Sequence, residues 1–278
     1  TKTIEIANEY DLIVLVVGDN SMRYKWNQKT AGENTARAEL NLAGKQLELA
    51  MRLKESGKKI IVVYVNGRPI SEPWISENIN AIIEAWEPGS YGGLAVAEIM
   101  FGKINPSGKL PLTVARSVGQ LKMFYNHKHS MYFRDYAMQT NKPLYSFGFG
   151  LSYTKFDIST PKLNSSKFKK GILSVSVNVK NVGEIAGDEI VQLYISDKYS
   201  SMTRPVKELK AYQRVSLKPG ESKEIVFELN KSAFAYYDSE MNYVVEAGDF
   251  DILVGNSSMD EDLKNTYFNI EKTFYLRD

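Results

Sequence analysis

Cysteine is absent from the sequence, which excludes disulfides and thiol chemistry and leaves no redox signal of compartment. Histidine occurs only twice, at His127 and His129 within YNHKHS, so a zinc centre or a Ser-His-Asp triad is poorly supplied. No apolar run reaches the roughly 18 residues that a membrane span needs. Neither sign of charge is in excess: 35 Lys and Arg against 33 Asp and Glu leave a formal charge of +2. There is thus no electrostatic case for nucleic acid or an anionic membrane as partner. Phosphate signatures are missing too. Gly102-Lys103 and Gly108-Lys109 lack the frame and the hydroxyl of a P-loop, and GSYGG (Gly89–Gly93) lacks the spacing of a dinucleotide fingerprint. No acidic cluster has metal-ligand spacing.

What is present is the composition of an ordinary globular protein, 43% apolar and 24% charged, over 278 residues, a length comfortable for two domains. The opening TKTIEIANEYDLIVLVVGDN carries no initiator Met, no charged n-region and no signal-like apolar segment. It reads as a chain entered midway through something longer.

Two grammars follow one another. DLIVLVVGD (Asp11–Asp19) and KKIIVVYVNG (Lys58–Gly67) are continuous β-branched runs, the pattern of parallel strands buried on both faces. NINAIIEAWEPG supplies a third, short strand ended by Pro88-Gly89. Between them LAGKQLELAMRLKESG spaces Leu42, Leu49 and Leu53 at helical intervals before Gly57, and GGLAVAEIMFG is a second helix with Ala95, Ile99 and Met100 on one face. GKLPLTVA closes the section. The alternation predicts a three-layer α/β sandwich over residues 1–116, with right-handed crossovers and helices on both sides of a parallel sheet. From Phe156 onward the period changes to two. GILSVSVNVKNVG puts Leu173, Val175, Val177 and Val179 on one face, and further short strands follow, punctuated by Lys218-Pro219-Gly220 and Ala247-Gly248-Asp249. This predicts an all-β immunoglobulin-like sandwich over 156–278. Residues 117–155 form an aromatic-rich connection, too long for a simple loop and expected to pack over a neighbouring domain or to carry function.

Ligands of open parallel sheets collect at the carboxyl ends of the strands. The first strand ends there in DNSMRYKWNQKTAGENTARAEL, so Glu33 sits on the functional rim. A glutamate in a glycine-bearing loop can approach a substrate and exchange a proton with it. Taken alone, a solvated loop carboxylate is the commoner case, and Arg37 could lock it as an ion pair or orient a neighbour. Tyr24 and Trp26 suit stacking on the apolar face of a sugar ring or, equally, cover of the sheet edge. Arg68, in VNGRP, could hold an anion, but a surface salt bridge is the more ordinary assignment.

The order of motifs is more specific than any one of them. EAWEPGSYGGLAVAEIMFGKINPSGKLPLTVARSVGQ closely resembles the sandwich-domain signature of glycoside hydrolase family 3. PLYSFGFGLSYTKF resembles the bridge by which that family enters its fibronectin-type-III-like domain, and RPVKELKAYQRVSLKPGES resembles the middle of that domain. The resemblance runs from about Asp11 to Asn256. It implies the C-terminal part of a retaining exo-β-glycosidase of the β-glucosidase kind, acting without cofactor or metal on a β-linked oligosaccharide or an aryl or alkyl β-glycoside. In the family an N-terminal (β/α)8 barrel carries the aspartate nucleophile and most contacts to the terminal sugar. AGENTARAEL resembles the loop bearing the general acid/base, which gives Glu33 that role. Arg37 becomes loop-orienting or substrate-binding, and Tyr24 and Trp26 flank the leaving group. Ala36 departs from the family pattern, where aspartate commonly precedes the arginine. The N-acetylglucosaminidase branch commonly lacks this loop and uses a barrel His–Asp pair, so the loop points to glucosidases and xylosidases. The isolated chain is expected to be inactive without a barrel. Family resemblance also suggests a periplasmic or secreted location. Two other readings are a non-catalytic carbohydrate- or partner-binding module and a β-xylosidase of the same family.

Overall fold

The computed structural model describes residues 2–21, 26–129, 134–168 and 171–276. They form two compact units. The first comprises the chain up to Ile104 with Val114–Met123 and Lys142–Leu144; the second takes Asn105–Thr113, Phe124–Asn141 and everything from Tyr145.

The first unit is built on a three-stranded parallel sheet, β1 (Leu12–Gly18), β2 (Lys59–Val65) and β3 (Ala81–Glu84), in that spatial order. Among the described residues four helices belong to the same stretch: α1 (Lys2–Asn8), α2 (Gln46–Lys54), α3 (Pro73–Asn78) and α4 (Gly92–Met100). α2 is stopped where the sequence predicts: Ser56 Oγ and the Gly57 N–H take the carbonyls of Leu53 and Lys54 that the last turn leaves open. Ala7 of α1, Ala50 and Leu53 of α2 and Ile75 of α3 close one core with Leu15 and Val17 of β1 and Ile60, Val62 and Tyr64 of β2. The alternation of these strand positions shows that the core lies on one face of the sheet.

The opposite face of β1 departs from expectation. Leu12, Val14 and Val16 are 47%, 42% and 61% exposed, so the strand is buried on one face and not on both. β1 stands at the edge of the sheet, and α4 adds no residue to the core that covers its other side. A continuous apolar run states what a strand could bury, whereas its neighbours decide what it does bury.

The second unit is a β-sandwich. One sheet runs β13 (Leu263–Ile270), β12 (Gly248–Gly255), β7 (Gly187–Asp197), β8 (Glu208–Leu217); the other joins β4 (Phe156–Ile158), β5 (Lys162–Leu163) and β9 (Ser222–Asn230) to β6 (Ile172–Asn181). Short strands β10 (Tyr236–Tyr237), β11 (Tyr243–Val245) and β14 (Phe274–Tyr275) make a small third sheet. Leu173, Val175, Val177 and Val179 of β6 are all buried, facing Val191, Leu193 and Ile195 of β7 and Phe250, Ile252 and Val254 of β12.

β7 is buried on its outer face as well, and the reason lies in earlier sequence. Tyr125 stacks on Phe147 with ring centroids 4.4 Å apart and meets Tyr194 of β7 edge-on at 5.7 Å. Gln192 donates to the carbonyls of Gly148 and Asn256, and near the start of β7, at a position of inward parity, Lys109 pairs with the buried Glu189 at 2.8 Å. Ser117 to Phe156, which reads in sequence as one connection, is thus apportioned between the two units, and its aromatic part clothes a sheet.

Gly18 ends β1 at a point of close approach. Its N–H and carbonyl are held by the side chain of Gln46 on α2 at 2.8 and 2.9 Å, and a Cβ there would stand 1.8 Å from the carbonyl oxygen of Val65. Gly18→Ala should therefore cost the first unit about 2–4 kcal/mol. Gly93→Ala, at an exposed position in the first turn of α4 whose Cβ meets nothing within 4 Å, should change stability by less than about 1 kcal/mol and in the favourable direction. Urea unfolding of the two variants checks both.

Candidate active site

The carboxyl ends of β1, β2 and β3 carry a network of polar side chains, and the loop from Lys29 to Asn41 is tied into it. At the end of β1 the Asp19 carboxylate has no exposed side-chain surface. It faces the Arg68 guanidinium, which follows β2, with Nε 2.8 Å from one oxygen and Nη2 3.3 Å from the other. Arg68 is therefore no surface salt bridge, as its sequence context suggested, but the partner of a buried charge. Burial draws its pKa below the ordinary arginine value and the Asp19 charge opposes this. Its remaining N–H groups donate to the carbonyls of Leu40 (2.6 Å), Asn41 (3.0 Å) and Pro69 (3.0 Å). Thr30 Oγ1 donates to Asp19 at 3.0 Å and accepts from the Asn20 N–H at 2.8 Å.

Glu33 stands exposed on a turn within this loop. The residue before it, Gly32, has φ +100°, and the residue after it, Asn34, has φ +57°; both lie in the left-handed region. Glycine adopts it without steric cost and asparagine more readily than most residues, which is why GEN can carry the glutamate around so tight a bend. The Thr35 N–H closes onto the Gly32 carbonyl at 3.0 Å, and Lys29 Nζ donates to the Glu33 carbonyl at 2.6 Å. Arg37 lies across the loop, donating to the carbonyls of Thr30, Glu39 and Asn41 at 3.2–3.3 Å. A shallow cavity of about 340 Å³ opens here, lined by Lys29, Thr30, Thr35, Arg37 and Glu39 among others. Tyr24 lies outside the described residues; Trp26 begins a 3₁₀ turn (Trp26–Gln28), and the structure describes its backbone alone.

Several members of this rim escaped sequence reasoning. Asp19 looked like the polar end of a strand, and nothing local linked it to an arginine 49 positions away. Asn66, almost fully buried after β2, donates to the Arg68 carbonyl at 2.6 Å, and its own N–H is bonded to the Trp86 carbonyl at 3.0 Å. Trp86 holds φ +53°, uncommon for an aromatic residue and a reason to look at the turn after β3. Glu87 accepts from Ser21 Oγ, joining the third strand end to the first. Glu72, buried before α3, accepts the Leu42 N–H at 3.3 Å; burial pushes its carboxyl up, partly offset by that bond. Among the described residues no three His, Asp or Glu gather as a metal site would require.

Comparison with known proteins follows the same lines. Residues 1–153 match the model described as glycosyl hydrolase family 3 C-terminal domain, and residues 189–258 match a fibronectin type III-like domain. The chain is 42% identical over 274 residues to a β-xylosidase of Formosa agariphila, covering 97% of this chain and 37% of that protein. It is 36% identical to a periplasmic β-glucosidase of Salmonella typhimurium, covering 92% and 34%. A solved β-glucosidase from Listeria innocua in complex with glucose superposes with a TM-score of 0.89 at 33% identity, over 99% of this chain and 38% of that one. The chain thus spans little more than a third of the length of the relatives it matches.

Glu84, at the end of β3, gives a test of the rim that needs no substrate. Burial pushes its carboxyl up to about 7, against the opposing hydrogen bonds from the Trp86 N–H and Asn66. A carboxyl raised above its unfolded value of 4.5 holds its proton longer in the folded state. Its stability contribution is complete below about pH 4.5 and is lost as pH rises through about 7. Glu84→Gln should flatten that decline in a comparison of urea midpoints at pH 5 and pH 8.

Proposed function

Because the chain belongs to glycoside hydrolase family 3, we propose that it supplies the proton-transferring half of a retaining exo-β-glycosidase site, with Glu33 as general acid/base. The observation that carries this reading is the presentation of Glu33: an exposed carboxylate at the bend between two left-handed residues, on a loop anchored to the carboxyl rim of the parallel sheet. The same glutamate stands where the loop AGENTARAEL resembles the acid/base loop of the family.

A retaining glycosidase needs two carboxyl groups about 5–5.5 Å apart, one to attack the anomeric carbon and one to protonate the departing oxygen. In this proposal the nucleophile comes from a (β/α)8 barrel domain, and the substrate lies between that domain and the Glu33 loop. Glu33 donates its proton to the glycosidic oxygen as the leaving group departs and a glycosyl ester forms on the nucleophile. The resulting carboxylate then takes a proton from water as the water attacks the anomeric carbon, which restores both groups. Water around Glu33 is displaced when barrel and substrate close over it. Arg37 acts as a positioning residue, since its guanidinium bonds to three carbonyls of the loop itself. Tyr24 and Trp26 are assigned to the leaving-group side, where aromatic stacking selects among aglycones.

The substrate is a β-linked oligosaccharide or a simple β-glycoside, with β-glucoside as the first assignment. A β-xyloside is the second, favoured by the 42% identity to the Formosa agariphila β-xylosidase.

The assay compares aryl and alkyl β-glucosides and β-xylosides, with this chain alone and with this chain joined to a family barrel domain. The chain alone should show no turnover. In the joined enzyme Glu33→Gln should lower kcat on alkyl glycosides about 10²–10⁴-fold, the usual worth of a positioned proton donor, and much less on activated aryl glycosides. Equal loss on both, or none on alkyl glycosides, would remove Glu33 from the role.

A further inference from the structure

We propose that the Asp19–Arg68 ion pair is the positioning device of the Glu33 loop, and that Arg68 sets the effectiveness of proton transfer without touching substrate. The proposal rests on the reading of Glu33 as the proton donor and adds a residue outside the loop to that machinery.

The argument begins with where the loop is fastened. Between Thr30 and Asn41 the chain forms an arch, and both of its feet meet the same pair. The leading foot, Thr30, bonds through Oγ1 to Asp19. The trailing foot, Leu40 and Asn41, gives both carbonyls to Arg68. Arg37 spans the arch and joins the feet to each other, from the Thr30 carbonyl to that of Asn41. Arg68 is in turn held from the sheet by Asn66, whose amide takes the Arg68 carbonyl. One carboxylate and one guanidinium thus meet both feet of the arch, alongside backbone bonds of each foot by itself: Thr30 and Ala31 N–H to the Asn20 carbonyl at the leading foot, and Ser71 N–H to the Leu40 carbonyl at the trailing one.

The chemistry of the pair suits fine positioning better than bulk stability. Arginine offers planar, diverging N–H groups, and here they reach one carboxylate and three carbonyls at once, a pattern that a lysine ammonium cannot copy. The apolar core of the first unit is built mainly from strand and helix side chains, and only Leu42 and Ile70 among its buried members directly follow carbonyls that Arg68 holds. Loss of Arg68 would leave the core packed but the Asp19 charge buried without its partner, so that the chain above it has to shift or admit water. A displacement of about 1 Å at a reacting group can cost on the order of 10²-fold in rate.

Three variants test this: Arg68→Lys, Arg68→Gln, and the doubly neutral Asp19→Asn/Arg68→Gln, which leaves no orphaned charge if a single substitution fails to fold. The first measurement is amide hydrogen exchange in the chain as it stands. Residues 29–41 should exchange at least about tenfold faster in each variant while β2 keeps its wild-type protection. The second is steady-state kinetics with the barrel domain joined. kcat on alkyl glycosides should fall about 10–100-fold, with activated aryl glycosides and KM little changed, and Arg68→Lys should not rescue it. Wild-type exchange over 29–41 in folded variants overturns the proposal. A loosened loop with unchanged kcat on alkyl glycosides also overturns it, reducing the pair to support of the fold. Should Glu33→Gln itself be indifferent to the leaving group, the functional reading fails, and the exchange data still decide whether the pair holds the loop.

Discussion

A carboxylate without exposed surface must be neutralised where it stands, and in this protein that requirement falls on Asp19. Its partner comes from the end of the neighbouring strand and brings more donors than one carboxylate can accept. The surplus holds the trailing foot of the Glu33 arch and the Pro69 carbonyl, while the leading foot bonds to Asp19 itself and the Arg68 backbone carbonyl, through Asn66, links to the turn after β3. A buried ion pair is weak evidence for stability, because desolvation cancels much of the attraction. As a means of fixing where polar chain segments lie, it is far stronger, since each displaced bond leaves a polar group without its partner.

The division of work between sheet and loop follows from this. Parallel strands supply a stiff platform whose carboxyl ends point the same way, and short-range packing of β1 and β2 against α1, α2 and α3 keeps that platform in register. The loop supplies reach. Glu33 gains its exposure from two residues of positive φ, and the bonds of Lys29, Arg37 and Thr35 confine the motion that such exposure would otherwise permit. The role proposed for Glu33, proton transfer to a substrate, requires both properties together.

How much of this was legible beforehand depended on range. Period and composition marked β1, β2, β3, α2 and the inward residues of β6, because those signals are local and the structure leaves them intact. The place of Glu33 on the rim followed from the same reasoning, since a loop after a parallel strand has only one end of the sheet to occupy. Long-range facts were hidden. Arg68 looked like a surface cation because its counter-charge lies 49 positions away. β1 looked doubly buried because hydrophobicity does not say which neighbours a strand has. α3 is only six residues long, too short to show a helical period. The aromatic stretch around Tyr125 was expected to pack over a domain or to carry function, but which surface it covers was not legible; its stacking on Phe147 and Tyr194 identifies it as the outer cover of β7.

The path of the chain between its two compact units has a practical corollary. It leaves the first unit after Ile104, returns at Val114, leaves again after Met123, returns for Lys142–Leu144 and leaves a last time. No single cut separates the two. A fragment starting at Phe156, where the strand pattern begins, would keep Glu189 without Lys109 and Tyr194 without Tyr125 and Phe147. Domain boundaries drawn from a sequence pattern and those drawn by the ownership of side chains need not coincide, and here the sandwich owns residues upstream of its own first strand. A cut after Ile104 would keep every residue of the sandwich but take Val114–Met123 and Lys142–Leu144 from the first unit, and any cut between there and Tyr145 leaves the sandwich itself incomplete.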